Sequence, residues 1–546
     1  MGAMALLLAI PLVAEAFVDL NSTTLLPADL APTQVIDHYV DQKLEVLNIV
    51  PAPPANPHAL CRRITLDLAG RIPTPAEIEA FLGTHTSRRR DQLVARHLAS
   101  QWYVRHTARE LNAMLKGLGG NGPDLTDYLA SAVDSNRRWD TMFRELVGVS
   151  PAPLRPERFI LERLKDRDLL TRDVSAIYFG LNISCAQCHT HPYVDTLTQD
   201  YFFGMKSFFA RSYDFEGTLL ERNYAAQLEY EPVGESARRA PVMFLSGEVV
   251  GLDPPAATDL KEAIAKEDQR IARLRKSYKE ARKKDPQTDP PIPADAEFNL
   301  RERLVQLALS DSNQTRFARS MVNRMWYRFM GYGLVMRVDQ MHAGNSASHP
   351  ELLAWLTRDF IAHKFNLRRL TRAIVGSQAY ARSSVWAGAG TPPAEVFAVA
   401  PLRPLAPMQM GLSILAAGDG ITRHSRPPEP LQARIAKMET AAAALFSEVF
   451  EDPYEGLQFN AAEALAMSND ADRLAAMGRS LVDAILSIED RDGQVETAVL
   501  AVLGRPPVSE EKEWIAEYLV SRTDRRDALQ QVVWALFTSS EFRFNH

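Results

Sequence analysis

The sequence predicts a mostly α-helical, multi-domain protein with one or two minor short strands. Three observations carry this expectation. Apolar residues recur at helical spacing over long stretches such as "RDQLVARHLASQWYVRHTARELNAML". Several of these stretches open with helix-start chemistry, most clearly Thr74-Pro75-Ala76-Glu77, where a capping threonine, a first-turn proline and a glutamate three residues on form a capping box. A chain of 546 residues is also too long for one hydrophobic core, so roughly three units are expected.

The elements follow in order. After the proline-rich "VPAPPANPH", a short apolar run at Ile64–Leu68 leads into the turn "AGRIPTP" and then the capped helix. "GLGGNGP" at Gly117–Pro123 breaks the helical pattern, which resumes up to Phe179. Gly180–Pro192 has loop character, and Thr196 with Gln199 offers a second capping box opening "DYFFGMKSFFA". "APVMFLSGEVVGL" is the best strand candidate. "DLKEAIAKEDQRIARLRKSYKEARKKD" reads as an exposed helix supported by neighbouring opposite charges, and "DPQTDPPIPAD" as a linker. Beyond it, "RFARSMVNRMWYRFMGYG" is an amphipathic helix stopped by glycines, and Ser348 with Glu351 offers a third capping box before "LLAWLTRDFIAHKF".

Composition narrows the function classes. Apolar residues make up 46% and charged residues 24%, with a net charge of -6, so nucleic-acid binding has no compositional support. Met4–Phe17 holds an apolar run followed by Ala14-Glu15-Ala16, a small-x-small pattern that points to export into the periplasm or beyond. The run is too short to span a bilayer, and no later stretch is long enough. A large chain with only three cysteines is not built on a disulfide framework.

Two of those cysteines stand in "CAQCH", Cys185 to His189. This is the C-x-x-C-H pattern of covalent haem attachment: two thiols about one turn apart can each add to a vinyl group, and His189 turns its imidazole to the iron. The spacing Cys185, Cys188, His191 also fits a zinc knuckle, with Asp195 or a distant histidine completing a tetrahedron. A disulfide or redox thiol pair is a third option. On the haem reading His191 is too close to His189 to reach the opposite face, so a propionate or supporting contact suits it better. Met205 could supply a thioether, since Tyr201, Phe202, Phe208 and Phe209 flank it at helical spacing, although such a stripe also describes core packing. His342 and His349 are long-range candidates, and no distal ligand is assigned. Cys61 has no partner at motif spacing and reads as a small buried apolar residue. No nucleophile elbow, phosphate-binding glycine loop or H-E-x-x-H motif is present, so no catalytic constellation is recognised.

Several segments together resemble a known family. "CRRITLDLAGRIPTPAEIEAFL" and "CAQCHTHPYVDTLTQDYFFGMKSFFA" resemble the first domain of planctomycete cytochrome-c-like proteins of unknown function. "FARSMVNRMWYRFMGYGLV", "SHPELLAWLTRDFIAHKFNLRRLTRAIVGSQAYARSS" and "SSEFRFNH" look like the partner domain that follows it. With the signal-like or apolar N-terminal segment read at 1–17, the resemblance implies a helical cytochrome-like domain at 35–215, a connecting region with a short strand and charged helix at 216–297 and a helical partner domain at 298–546. It implies a haem-c-like site on Cys185, Cys188, His189, His191 and Pro192. The chain departs from the family pattern at Asp339, where an acidic pair is usual, and at Met205, where an aliphatic residue is usual.

The expected function is an exported mono-haem cytochrome-like electron carrier, with a redox partner protein or cell-envelope component docking on it. The alternative is a zinc-stabilised binding or scaffold protein of the cell envelope.

Overall fold

The computed structural model describes residues 17–117, 120, 122–149, 152–223, 228–251, 260–288, 299–422, 430–446 and 471–546. Among them are 22 α-helices against six strands of at most four residues, which makes the protein mostly α. No described helix is long and apolar enough to cross a membrane. The chain divides into two compact units that interleave in sequence. One takes Met1–Leu30, Ala108–Tyr327 and Gly333–Leu370; the other takes Ala31–Thr107, Arg328–Tyr332 and Thr371–His546.

The first unit is built around aromatic rings. Trp139 and Phe143 project from the helix Trp139–Val147, Tyr178 and Phe179 from Arg167–Phe179, and Phe317 from Gln314–Met330. Trp139 stacks on Tyr178 at 5.6 Å between ring centroids, and Phe143 tilts against Tyr178 at 4.6 Å and Phe317 at 5.0 Å. Each such pair adds about 0.5–1.5 kcal/mol beyond the area it buries. Arg163 is buried beside this cluster and is fully engaged: it donates to Asp173 at 2.8 Å and to the carbonyls of Phe159, Leu115 and Lys116. A buried guanidinium is tolerated only when its fork is filled in this way. Asp166 caps Arg167–Phe179 by accepting from the Asp168 and Leu169 amides, and Gly180 ends it in the left-handed region at φ 63°. That end fixes where the cysteine-bearing loop begins.

The second unit centres on the helix Pro57–Ala69. Asn56 caps it, Pro57 opens it and Gly70 closes it at φ 70°. Its arginines and Asp67 face inward. One Asp67 oxygen accepts from Arg403 at 2.9 Å and Asn545 at 2.8 Å, the other from Arg403 at 2.7 Å and the Tyr380 hydroxyl at 2.7 Å. Arg63 donates to the carbonyls of Tyr380 and Arg382, and Arg62 to that of Phe542. The C-terminal strand Phe544–Asn545 pairs with Arg403–Pro404 beside them. Helices Ala471–Leu486, Arg491–Leu503 and Arg525–Thr538 complete the unit around Ile485, Val499, Val533 and Phe537.

Local expectations fare unevenly. The Thr74–Glu77 capping box forms. The box expected at Thr196–Gln199 does not: the helix is Gln199–Ser207 with Thr198 at its cap position, and the Gln199 amide serves the Gln187 carbonyl and the Val233 amide instead. Ser348 likewise turns to the His349 ring, and His349 occupies the cap position of Pro350–Ala362. The strand expected at 240–252 is a tight turn with a single bridge, Met243 to Val249, because Ser246-Gly247 folds the run back on itself. The hairpin Ser212–Phe215 with Thr218–Glu221 carries the strands instead. The expected charged helix is Leu260–Lys284. Most of the expected linker and the N-terminal apolar run lie outside the described residues.

Two outcomes are expected of the second unit. Asp67→Ala strips the counter-charge from Arg403 and should lower stability by about 3–5 kcal/mol, read as a fall in the urea midpoint of the full chain, with Asp67→Asn milder. Burial pulls His97 down to about 4, against a weaker upward pull from Glu77. The unfolded chain therefore takes up this proton first: the contribution is whole above about pH 6.5 and is lost as pH falls toward 4. The loss is worth about 3 kcal/mol, and His97→Gln should flatten that part of the stability profile.

Candidate functional site

The loop after Gly180 is stitched to a distant segment before it reaches its cysteines. The Gly180 carbonyl accepts from the Met341 amide at 2.8 Å, Leu181 bridges Gln340, and the Asn182 amide donates to the Asp339 carbonyl at 2.7 Å. The Asn182 side chain then works in both directions. Its Nδ2 donates to the Asp339 carboxylate at 3.2 Å, while its Oδ1 accepts from the Ser184 amide at 3.0 Å and hydroxyl at 2.6 Å. The second arrangement is an Asx turn, and it starts the 3-10 helix Ser184–Gln187.

"CAQCH" forms one tight turn on this base. The amides of Cys188 and His189 both donate to the Cys185 carbonyl at 3.3 Å, and the side chain of Gln187 donates to Asp168 at 3.1 Å. Ile183 and Ala186 face the core, whereas Cys185, Cys188 and His189 are exposed. Both cysteines are free thiols. His189 Nδ1 donates to the Thr190 carbonyl at 2.7 Å, which leaves the Nε2 lone pair available. This is the tautomer and support that a metal-ligating histidine uses.

His191 has the opposite arrangement. Its Nδ1 accepts from the Tyr193 amide at 3.3 Å, so the ring proton sits on Nε2. The backbone around it closes on itself, His191 donating to the Leu197 carbonyl at 2.9 Å and accepting from Val194. The residue as a whole is buried, at 3% exposure. His342 reaches the same place from the clasping segment. Its ring lies 5.4 Å from that of His191 and stacks at 5° on that of Tyr193, an exposed residue. Burial pulls both imidazoles below their ordinary value, and the charges of His342 and His189 add to this at His191.

The remaining candidates lie elsewhere. Met205 is fully buried in the helix Gln199–Ser207, and Tyr201, Phe202, Phe208 and Phe209 are buried as well. His349 sits at its helix start beside Ser348, and Asp195 is exposed. Among the described residues no three His, Cys, Asp or Glu side chains are arranged to hold a metal ion. Cys61 is buried, and burial pushes its thiol up to about 12, the inert state expected for it. Sequence reasoning missed Asn182 and Tyr193. An asparagine two residues before a serine was a readable turn signal for the first; nothing marked the second.

Residues 35–214 match the family model PSCyt2, described as a protein of unknown function (DUF1549), and residues 300–445 match PSD1, also described as a protein of unknown function (DUF1553). The two matches, in this order, are consistent with a planctomycete two-domain family of unknown function. The cysteine loop falls in the first matched region and its clasping segment in the second. No curated protein and no solved structure matches the chain.

Removing the clasp should loosen the loop without touching its cysteines. Asn182→Ala deletes three side-chain hydrogen bonds, worth about 0.5–1.5 kcal/mol each. Backbone amides of 183–189 should exchange with deuterium several-fold faster, while the aromatic core around Tyr178 keeps its protection.

Proposed function

We propose that this chain carries one haem c, attached through Cys185 and Cys188 with His189 as its iron ligand, and acts in electron transfer. The observation that carries the reading is the tight "CAQCH" turn, with both thiols free and exposed beside an exposed imidazole whose Nδ1 is tied to the Thr190 carbonyl. The donor set fits the group: two accessible thiols one turn apart and one nitrogen with an open lone pair. When bound, haem supplies a one-electron couple. The chain's own residues hold it in place, Ile183 and Ala186 anchoring the turn and Asn182 fixing its start.

The zinc alternative asks more of the same loop. It needs a third donor near the thiols, and His191 Nε2 carries the proton that a ligating nitrogen must lack. No side chain is assigned opposite His189, since Met205 is enclosed in the core. Export agrees with the apolar run and Ala14-Glu15-Ala16. A redox partner protein or a cell-envelope component is the partner this reading calls for.

The test uses protein from the producing cell, so that haem-attachment machinery is present. A Soret band that survives acid–acetone extraction is expected, and Cys185→Ser with Cys188→Ser should abolish it. A colourless native protein holding one zinc per chain, or a Cys185–Cys188 disulfide, would overturn the reading.

A further inference from the structure

Two exposed helix faces carry charges that find no partner among the described residues. The helix Leu260–Lys284 is anchored on the hairpin Ser212–Phe215 with Thr218–Glu221: Ile271 joins Phe215 and Leu220 in one apolar cluster, with Tyr213 and Leu274 packed against it. Several of its cations are engaged. Arg275 and Lys279 pair with Glu216 at 3.5 and 3.4 Å, and Arg282 lies over the Tyr278 ring. Lys276, Lys283 and Lys284 are exposed and have no ion-pair or hydrogen-bond partner among the described residues. The second face belongs to the helix Ser509–Ser521. There Trp514 is 69% exposed, with Glu510 and Glu517 at i-4 and i+3 on its side of the helix and Glu513 next to it. Glu510, Glu513 and Glu517 are exposed and equally without a partner among the described residues. Elsewhere on the same helix Glu511 holds Arg505, and Lys512 holds Asp492 and Glu496, so the unpaired charges belong to this outer face.

The two faces match in sign and in spacing. Lys276 and Lys283 stand seven residues apart, and so do Glu510 and Glu517. Seven residues are close to two turns, so each pair lies on one side of its helix with its charges about 10 Å apart along the axis. Lys284 and Glu513 add a third charge to each face. An exposed tryptophan among carboxylates also suits a cation, which the ring face attracts. Single exposed ion pairs contribute little, whereas several aligned ones act as a network. We propose that the partner is a second copy of this chain: Lys276, Lys283 and Lys284 of one copy dock on Glu510, Glu513 and Glu517 of the next, with a lysine against Trp514. The chain itself supplies both complementary faces, which is why a second copy fits. Because the faces differ, the contact is heterologous: each copy keeps one face of each kind free, and association continues past a dimer unless the rotation closes a ring. The inference does not depend on what the cysteine turn holds.

The test follows the full chain by sedimentation velocity from micromolar to millimolar concentration. In salt of about 0.02 M the weight-average sedimentation coefficient should rise with concentration; in about 0.3 M, where the screening length falls from about 20 Å to about 6 Å, the rise should vanish. Glu510→Lys, Glu513→Lys and Glu517→Lys together, or Lys276→Glu, Lys283→Glu and Lys284→Glu together, set like charges against each other and should weaken association at least about tenfold. All six changes in one chain exchange the two faces and leave the net charge at -6, so association should return to within about threefold of the wild type. An equimolar mixture of the two triple variants should associate as well. Trp514→Ala should weaken the contact about two- to fivefold. A wild type that stays monomeric at every concentration in low salt would overturn the proposal. So would association that either triple variant leaves intact, or a six-change chain and a mixture that both stay monomeric. A monomeric wild type that binds phosphatidylglycerol vesicles through the three lysines, or a lysine-rich peptide at Trp514, would assign these faces to other partners and refute the pairing of copies.

Discussion

The candidate site depends on the stitching of residues 180–182 to residues 339–341. A 3-10 helix of four residues has no stability of its own, since nucleating a turn fixes several dihedral angles for very few hydrogen bonds. Ser184–Gln187 exists because Asn182 supplies the first bond of that turn from outside it, and Asn182 is itself held by the backbone and carboxylate of Asp339. The consequence is that exposed thiols, which elsewhere would sit on a loose loop, are presented from a fixed base. Gly180 makes the approach possible. A Cβ there would meet the Met341 sulfur at 2.7 Å, and the left-handed turn at φ 63° favours glycine.

The second unit solves a different problem by related means. Asp67, Arg62 and Arg63 lie on one buried helix, and their partners come from residues 380–403, Val502 and the last six residues of the sequence. Charge this deep adds little net stability over an apolar core of the same shape, but it punishes any alternative arrangement that leaves one member unpaired. The cluster therefore acts mainly through specificity: it dictates where the C-terminal strand Phe544–Asn545 must lie. Two of the segments that carried the family resemblance, "CRRITLDLAG" and "EFRFNH", both contribute to this arrangement.

Legibility in the sequence followed range. Helix content and the Thr74–Glu77 box were readable because they rest on contacts three or four residues apart. The boxes at Thr196 and Ser348 failed for a physical reason: Gln199 and Ser348 found competing partners that no local pattern announces. The "CAQCH" turn was legible as a motif, and its exposure and supporting bonds were not. His342 stood in the sequence as one histidine among twelve, 151 positions from His191, and only folding brings the rings together. Asp67 was more hidden still, one of 68 acidic residues with partners 313 to 478 positions away.

The three cysteines show how the fold separates chemical roles that the sequence cannot. Reactivity belongs to the thiolate at an accessible sulfur. Cys61 is denied both conditions: it is fully enclosed, and burial pushes its thiol up to about 12. Cys185 and Cys188 are exposed and free. Of the three cysteines in the sequence, these two alone present a thiol to a reagent from solvent. Scarcity of cysteine thus works with burial. It leaves one accessible pair, placed on a pinned turn beside an imidazole with an open lone pair.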